Sequence, residues 1–285
     1  MKRTNVTADR LVAAAVMGGG LVCAPMQHLA AWGQPAQPVA APVKTPLNAP
    51  LPAAAPFADE INAFQKADKK AMPPQGAVLF IGSSSIRLWE TLPQDLAEVP
   101  VVNRGFGGSQ IADSTRYFDR IVAPYAPKLI VFYAGGNDLN AGKTPPQVLE
   151  DFRVFVAKVH AHLPTTRVAY VSINPSTARW KEEPQILETN RLIAEFVQQP
   201  GVDTVPLSFL DSHALLLGAD GQPQGKLLRE DGLHLNAEGY KAWASILKLQ
   251  ILELAAEQGV IRLDDGDAEN KDEKKDEAVE DGAGQ

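Results

Sequence analysis

Six consecutive residues, Lys128-Leu129-Ile130-Val131-Phe132-Tyr133, carry almost no polar side chain and are rich in β-branched and aromatic types. A strand of that kind has no wet face, so it belongs in a sheet covered on both sides, and sheets of that sort are built from parallel strands with helices packed above and below. The rest of the chain has the matching rhythm. Further strands are expected at Ala77–Ile81, Val101–Asn103, Val168–Ile173 and Val202–Val205. Helical stretches at Ile111–Ile121, Pro146–His162 and Glu183–Gln198 lie between them, and Ala237–Glu257 follows the last strand. Ser109, with Asp113 behind it, suits the cap of the first helix, and Thr144-Pro145-Pro146 suits the opening of the second. Strands alternating with helices imply a doubly wound parallel α/β sheet around one core, with ligands bound outside the carboxyl ends of the strands.

The ends of the chain have a different character. Lys2, Arg3 and Arg10 precede an apolar segment, Leu11 to Leu21, followed by small residues. That is the pattern of an export signal, here residues 1–31, and its apolar part is shorter than the roughly 20 residues of a stable membrane span. Export places the protein in the periplasm or outside the cell. Cys23 is the one cysteine; Gly20-Leu21-Val22 before it departs from a lipoprotein box, so lipid anchoring is the lesser expectation. Residues 32–56 form a linker, Ala/Pro-rich from Gln34 to Pro56, and a folded domain follows over residues 57–262. It opens on a helix that presents Phe57, Ile61 and Phe64 on one face. Residues 263–285 are an acidic tail of the composition that stays disordered; with ten acids against three lysines between Asp264 and Asp281, it accounts for the whole net charge of −7. The remainder is near neutral, with no basic face for nucleic acid.

What the strand ends carry points to chemistry. After the first strand stand Gly82-Ser83-Ser84-Ser85, after the second Asn103-Arg104-Gly105-Phe106-Gly107-Gly108-Ser109, and after the third Gly135-Gly136-Asn137-Asp138. Asp231-Gly232-Leu233-His234 precedes the last helix. A serine where a strand turns into a helix meets unpaired N–H groups that favour developing negative charge. Such serines are equally good N-caps, and the stretch alone leaves both roles open. A hydroxyl becomes a nucleophile when a base takes its proton, a task suited to histidine, and an acid three residues before His234 can hold the imidazole in its working tautomer. The Ser84 N–H, the Gly108 N–H and the Asn137 side-chain amide form a set of oxyanion donors. His160 and His162 sit two apart on different helix faces, and His213 has no neighbouring carboxylate or cysteine cluster, so a metal site is not expected.

These four ordered blocks, spread over Val78 to Leu249, resemble the SGNH hydrolases, also called the GDSL lipase/acylhydrolase family. The resemblance implies a flavodoxin-like three-layer α/β/α sandwich with a five-stranded parallel sheet, and ester hydrolysis with no metal or other cofactor. It aligns Ser84 with the nucleophile, His234 with the base and Asp231 with its orienter. Ser84, Gly108 and Asn137 fall at the oxyanion positions. The family places Asp between the glycine and the nucleophile, where this chain has Ser83; the register Phe80-Ile81-Gly82-x-Ser favours Ser84 over Ser83 and Ser85. Asn174, Arg179 and Trp180, on the loop after the fourth strand, are candidate contacts to a polar acyl or sugar substrate. The expected activity is that of an exported serine esterase on small acyl esters, with acetylated carbohydrate as a candidate substrate. An O-acyltransferase on the same fold and a non-catalytic glycan-binding protein of the cell envelope are the alternatives. The sequence leaves the oligomeric state unknown.

Overall fold

A computed structural model describes residues 51–52, 54–199 and 206–262. The export segment with Cys23, the linker up to residue 50, the strand expected at 202–205 and the acidic tail lie outside those residues.

Five strands, β1 (Val78–Gly82), β2 (Val101–Gly105), β3 (Leu129–Tyr133), β4 (Arg167–Val171) and β5 (Leu207–Leu210), form one sheet in the order β2-β1-β3-β4-β5. Every pairing is parallel. The helices are α1 (Ala58–Asp68), α2 (Ser84–Arg87), α3 (Leu92–Asp95), α4 (Ile111–Arg116), α5 (Phe118–Ile121), α6 (Gly136–Asn140), α7 (Pro145–His162), α8 (Glu183–Val197) and α9 (Ala237–Glu257).

The side-chain period of two sorts each strand between two layers. Leu79, Ile81, Ile130, Phe132, Val168 and Tyr170 pack with Ile61 of α1, Ile111 of α4, Phe118 of α5, Phe152 and Phe155 of α7, and Ile193 of α8. Val78, Phe80, Leu129, Val131, Ala169 and Val171 face the other way, toward Trp89, Leu92 of α3, and Trp243, Leu247 and Ile251 of α9. The interior is therefore two apolar layers separated by the sheet rather than a single core. Phe132 stacks on Phe155 with centroids 4.6 Å apart in the first layer, and Trp89 meets Trp243 at 5.0 Å in the second. Emptying either Trp site should cost about 3–5 kcal/mol.

Three local expectations change. The stretch 111–121 is two short helices, broken at Tyr117, whose ring packs edge-on against Phe106 and whose hydroxyl donates to the Pro56 carbonyl. Gln110, not Ser109, is the N-cap residue of α4, and its N–H is taken by the Asp113 carboxylate. The Ser109 hydroxyl instead donates to the carbonyls of Gly82 and Phe106, tying the loop after β2 to the end of β1. Helix α7 starts one residue earlier than expected, at Pro145, with Thr144 as its cap.

The register sets up the site. Gly82 stands level with both Gly105 and Tyr133, so β1, β2 and β3 end at one height. From β1 the chain winds out to β2 and then back across to β3, so the crevice beyond β1 and β3 is the topological switch point where such sheets bind ligands.

Candidate active site

Gly82 ends β1 with φ 124°, and a Cβ there would sit 1.9 Å from the Tyr133 carbonyl oxygen. That oxygen accepts instead from the Ser83 N–H at 3.0 Å. A glycine is thus required for the chain to leave the strand tightly enough to put Ser84 at the sheet edge. Ser83 occupies the N-cap position of α2 but makes no capping bond through its side chain, and Ser84 is the first helical residue. Because α2 is a single turn and does not run on through Leu88 and Trp89, the helix dipole contributes less here than a full helix would.

Of the three consecutive serines, Ser84 alone has its hydroxyl on His234, with Oγ 2.9 Å from Nε2. His234 Nδ1 lies 2.7 Å from Asp231 Oδ2. A carboxylate only accepts, so Nδ1 carries the proton and Nε2 is left to accept from Ser84. Asp231 Oδ1 accepts from the N–H groups of Leu233 and His234, both at 2.9 Å. The His234 side chain first, and then these two N–H groups, hold the Asp231 carboxyl down at about 2. The turn is braced from the loop after β4: Gly232 O accepts from the Ala178 N–H at 3.0 Å and from the Thr177 hydroxyl at 3.1 Å.

Among the described residues, the N–H groups of Ser84 and Gly108 have no protein acceptor. Gly108 sits in an exposed turn at φ 73°, steadied by its neighbour Gly107, whose N–H donates to Glu60 Oε1 of α1 at 2.9 Å. Asn137 lies in the first turn of α6. Its Nδ2 donates to Ser109 O at 3.0 Å and its Oδ1 accepts from Arg179 Nη2 at 2.9 Å. One partner can only accept and the other only donate, so the amide has a single orientation, with its second Nδ2 hydrogen uncommitted. Behind it Asp138 is fully buried, accepting from the Ile111 N–H at 3.2 Å and from Lys143 Nζ at 2.8 Å. Burial pushes its carboxyl above the usual carboxylate range, and Lys143 acts against that rise.

An open cleft runs past several of these groups. Ser84, Asn137, Asn174, Arg179 and His234 line it, with Tyr133, Ile173, Pro175, Leu233 and Leu235 as its apolar walls. Asn174 Oδ1 accepts from Ser212 Oγ at 2.8 Å, and its N–H reaches the Tyr133 hydroxyl at 3.3 Å. Gly108 and Trp180 are not among the lining residues; Trp180 is half-buried at the start of a short 3-10 turn. His213 is buried and does have a carboxylate: Glu183, thirty positions upstream, meets its Nε2 at 2.7 Å, and its Nδ1 is 2.8 Å from Ile173 O. Tyr133, Glu60 and Ser212 serve the site without any sign in the sequence. One is the last residue of an apolar strand, one lies on the polar face of a helix, and one is an isolated serine.

The GDSL-like lipase/acylhydrolase family matches residues 79–242. No curated protein matches the chain. Among solved structures, a Streptococcus protein provisionally described as a platelet activating factor has 22% identity and TM-score 0.59, over 68% of this chain and 91% of that one. A GDSL-like lipase from Bacteroides thetaiotaomicron has 18% identity and TM-score 0.56, covering 68% and 97%. A carbohydrate esterase of family 3 from Talaromyces cellulolyticus has 20% identity and TM-score 0.51, covering 63% and 98%. At these identities the likeness is one of fold.

Proposed function

The chain belongs to the GDSL-like lipase/acylhydrolase family and is a carboxylic ester hydrolase, and from that premise we propose that it works as a serine esterase on short acyl esters, with Ser84 as nucleophile. The observation that carries this is the unbroken line of hydrogen bonds from Ser84 through His234 to Asp231, at 2.9 and 2.7 Å, on the carboxyl edge of the sheet.

His234 takes the Ser84 proton as Oγ attacks the ester carbonyl, and Asp231 holds the imidazole in place and stabilises the imidazolium that forms. The tetrahedral oxyanion collects the Ser84 N–H, the Gly108 N–H and the open Nδ2 hydrogen of Asn137. Each such donor contributes about 3–4 kcal/mol in the transition state. His234 returns the proton to the leaving alcohol, and the acyl-enzyme is hydrolysed by a water that His234 activates in turn. Asn174 and Arg179 act as substrate contacts. The cleft, walled by polar and apolar side chains alike, takes small acyl groups, acetyl on carbohydrate among them. The signal-like segment 1–31 supports export, and an intact Met1 on the mature protein would overturn that part.

The test is a rate series on p-nitrophenyl esters from acetate to palmitate, with labelling by a fluorophosphonate located by mass spectrometry. Turnover greatest on the short chains, label on the Ser84 peptide and loss of both in Ser84→Ala are expected. Full activity in Ser84→Ala, or label on Ser83 or Ser85, would displace the nucleophile.

A further inference from the structure

Arg179 is half-buried at the cleft wall, and among the described residues it forms no ion pair. Its Nη2 serves Asn137, and its remaining N–H groups have no protein acceptor. Among the described residues, no aspartate or glutamate lines the cleft. The neighbouring amides are turned to match. Asn174 commits its oxygen to Ser212 and Asn137 commits its oxygen to Arg179 and one Nδ2 hydrogen to Ser109, so Asn174 keeps its side-chain N–H hydrogens for the cleft and Asn137 keeps one. Among the described residues, this side of the cleft is therefore a wall of donors with one positive charge that no ion pair takes up.

Such a wall can donate to the hydroxyls of a carbohydrate, but they leave its charge unanswered. It suits a group that only accepts and is charged, and the flat guanidinium fork of arginine fits a carboxylate or phosphate with two parallel bonds. We infer that the ester taken by this site carries an anionic oxygen group, a carboxylate or a phosphate, held by Arg179 with Asn174 beside the scissile carbonyl. The inference rests on the assignment of this cleft as the ester site and narrows its substrate class. Arg179 thus has two tasks: it orients the Asn137 amide, and it binds the anion.

The test separates those tasks. Matched p-nitrophenyl esters with a neutral acyl group (butyrate) and an anionic one (hydrogen succinate) are compared, beside a pair of aryl acetates whose leaving group carries either a phosphate or its neutral methyl diester. Loss of Asn137 orientation slows all substrates together and cancels in the anionic-to-neutral ratio of kcat/KM. Loss of anion binding lowers that ratio by about ten- to a hundredfold in Arg179→Gln, through KM. Arg179→Lys should recover part of it, and the wild-type ratio should fall as salt is raised. The arm that responds identifies carboxylate or phosphate. An equal slowing of charged and neutral esters in Arg179→Gln would overturn the inference while leaving the esterase assignment standing. Binding of the same esters to Ser84→Ala, followed by calorimetry, decides the point even if no ester turns over: tighter binding of the anionic member that Arg179→Gln removes supports the inference, and equal binding or none refutes it.

Discussion

Asp231 and Asp138 both stand within a few residues of a group in the cleft, yet water treats them in opposite ways. Asp231 is half-exposed on a turn, and its hydrogen bonds from His234 and Leu233 hold it ionised down to about pH 2. Asp138, a residue of α6, is fully buried, and burial raises its carboxyl even though Lys143 lies 2.8 Å away. The first keeps its charge because donors are aimed at it; the second keeps its place because it ties α4, α6 and the Lys143 turn together. A carboxylate at the solvent edge can serve chemistry with little effect on folding, whereas a buried one serves the scaffold.

The sharpest way to break that contrast is Asp231→Asn. It should lower kcat about ten-thousandfold by losing the imidazole tautomer, while thermal stability moves by less than about 1 kcal/mol. Loss of folding on the same scale would show that the turn is structural after all. Lys143→Met should do the reverse, costing about 3–5 kcal/mol in urea unfolding because it leaves a buried charge unpaired. Its folded fraction should keep most of its turnover.

The two aspartates also differ in the sign of their pH dependence. The depressed Asp231 contributes stability above its unfolded pKa of about 4, lost as pH falls toward 2. The raised Asp138 favours the folded state at low pH, and that contribution is lost as pH rises through its folded value. Lys143→Met should therefore regain stability as pH is lowered from 7 toward 5, read from urea midpoints, and a flat profile would contradict the burial account. The smallest effect is at Asn236, whose side chain accepts from the Gly239 N–H at the start of α9, two residues after His234. Asn236→Ala should cost about 1–2 kcal/mol, and any fall in kcat beyond that of a simple loss of fold would place helix α9 among the supports of the base.

How much of this was legible follows from what each residue answers to. Strands β1 and β3 could be read because both faces are buried, so nearly every residue had to be apolar. Strand β5, Leu207-Ser208-Phe209-Leu210, could not: it is an edge strand, half-exposed at three of its four positions, and its pattern carries little constraint. The His234–Asp231 pair was legible as an i, i+3 turn and the position of Ser84 as a glycine turn, whereas the meeting of Ser84 with His234, 150 positions apart, was expected only from the resemblance of the four blocks to a known family. The hold of Arg179 on Asn137, of Glu60 on Gly107 and of Glu183 on His213 spans 42, 47 and 30 positions, and nothing local announces such partners. The break at Tyr117 was missed for the same reason, since Phe106 and Pro56 set it from a distance.

The bond between Ser84 and His234 closes a loop of 150 residues. In chain order Ser84 comes early, directly after β1, and His234 late, directly before α9. Until the His234 turn docks, the Ser84 hydroxyl has no base beside it, and a serine hydroxyl without a base is a weak nucleophile. Turnover that appears during refolding would therefore time the docking of the His234 turn on the end of β1, a long-range closure rather than a local one.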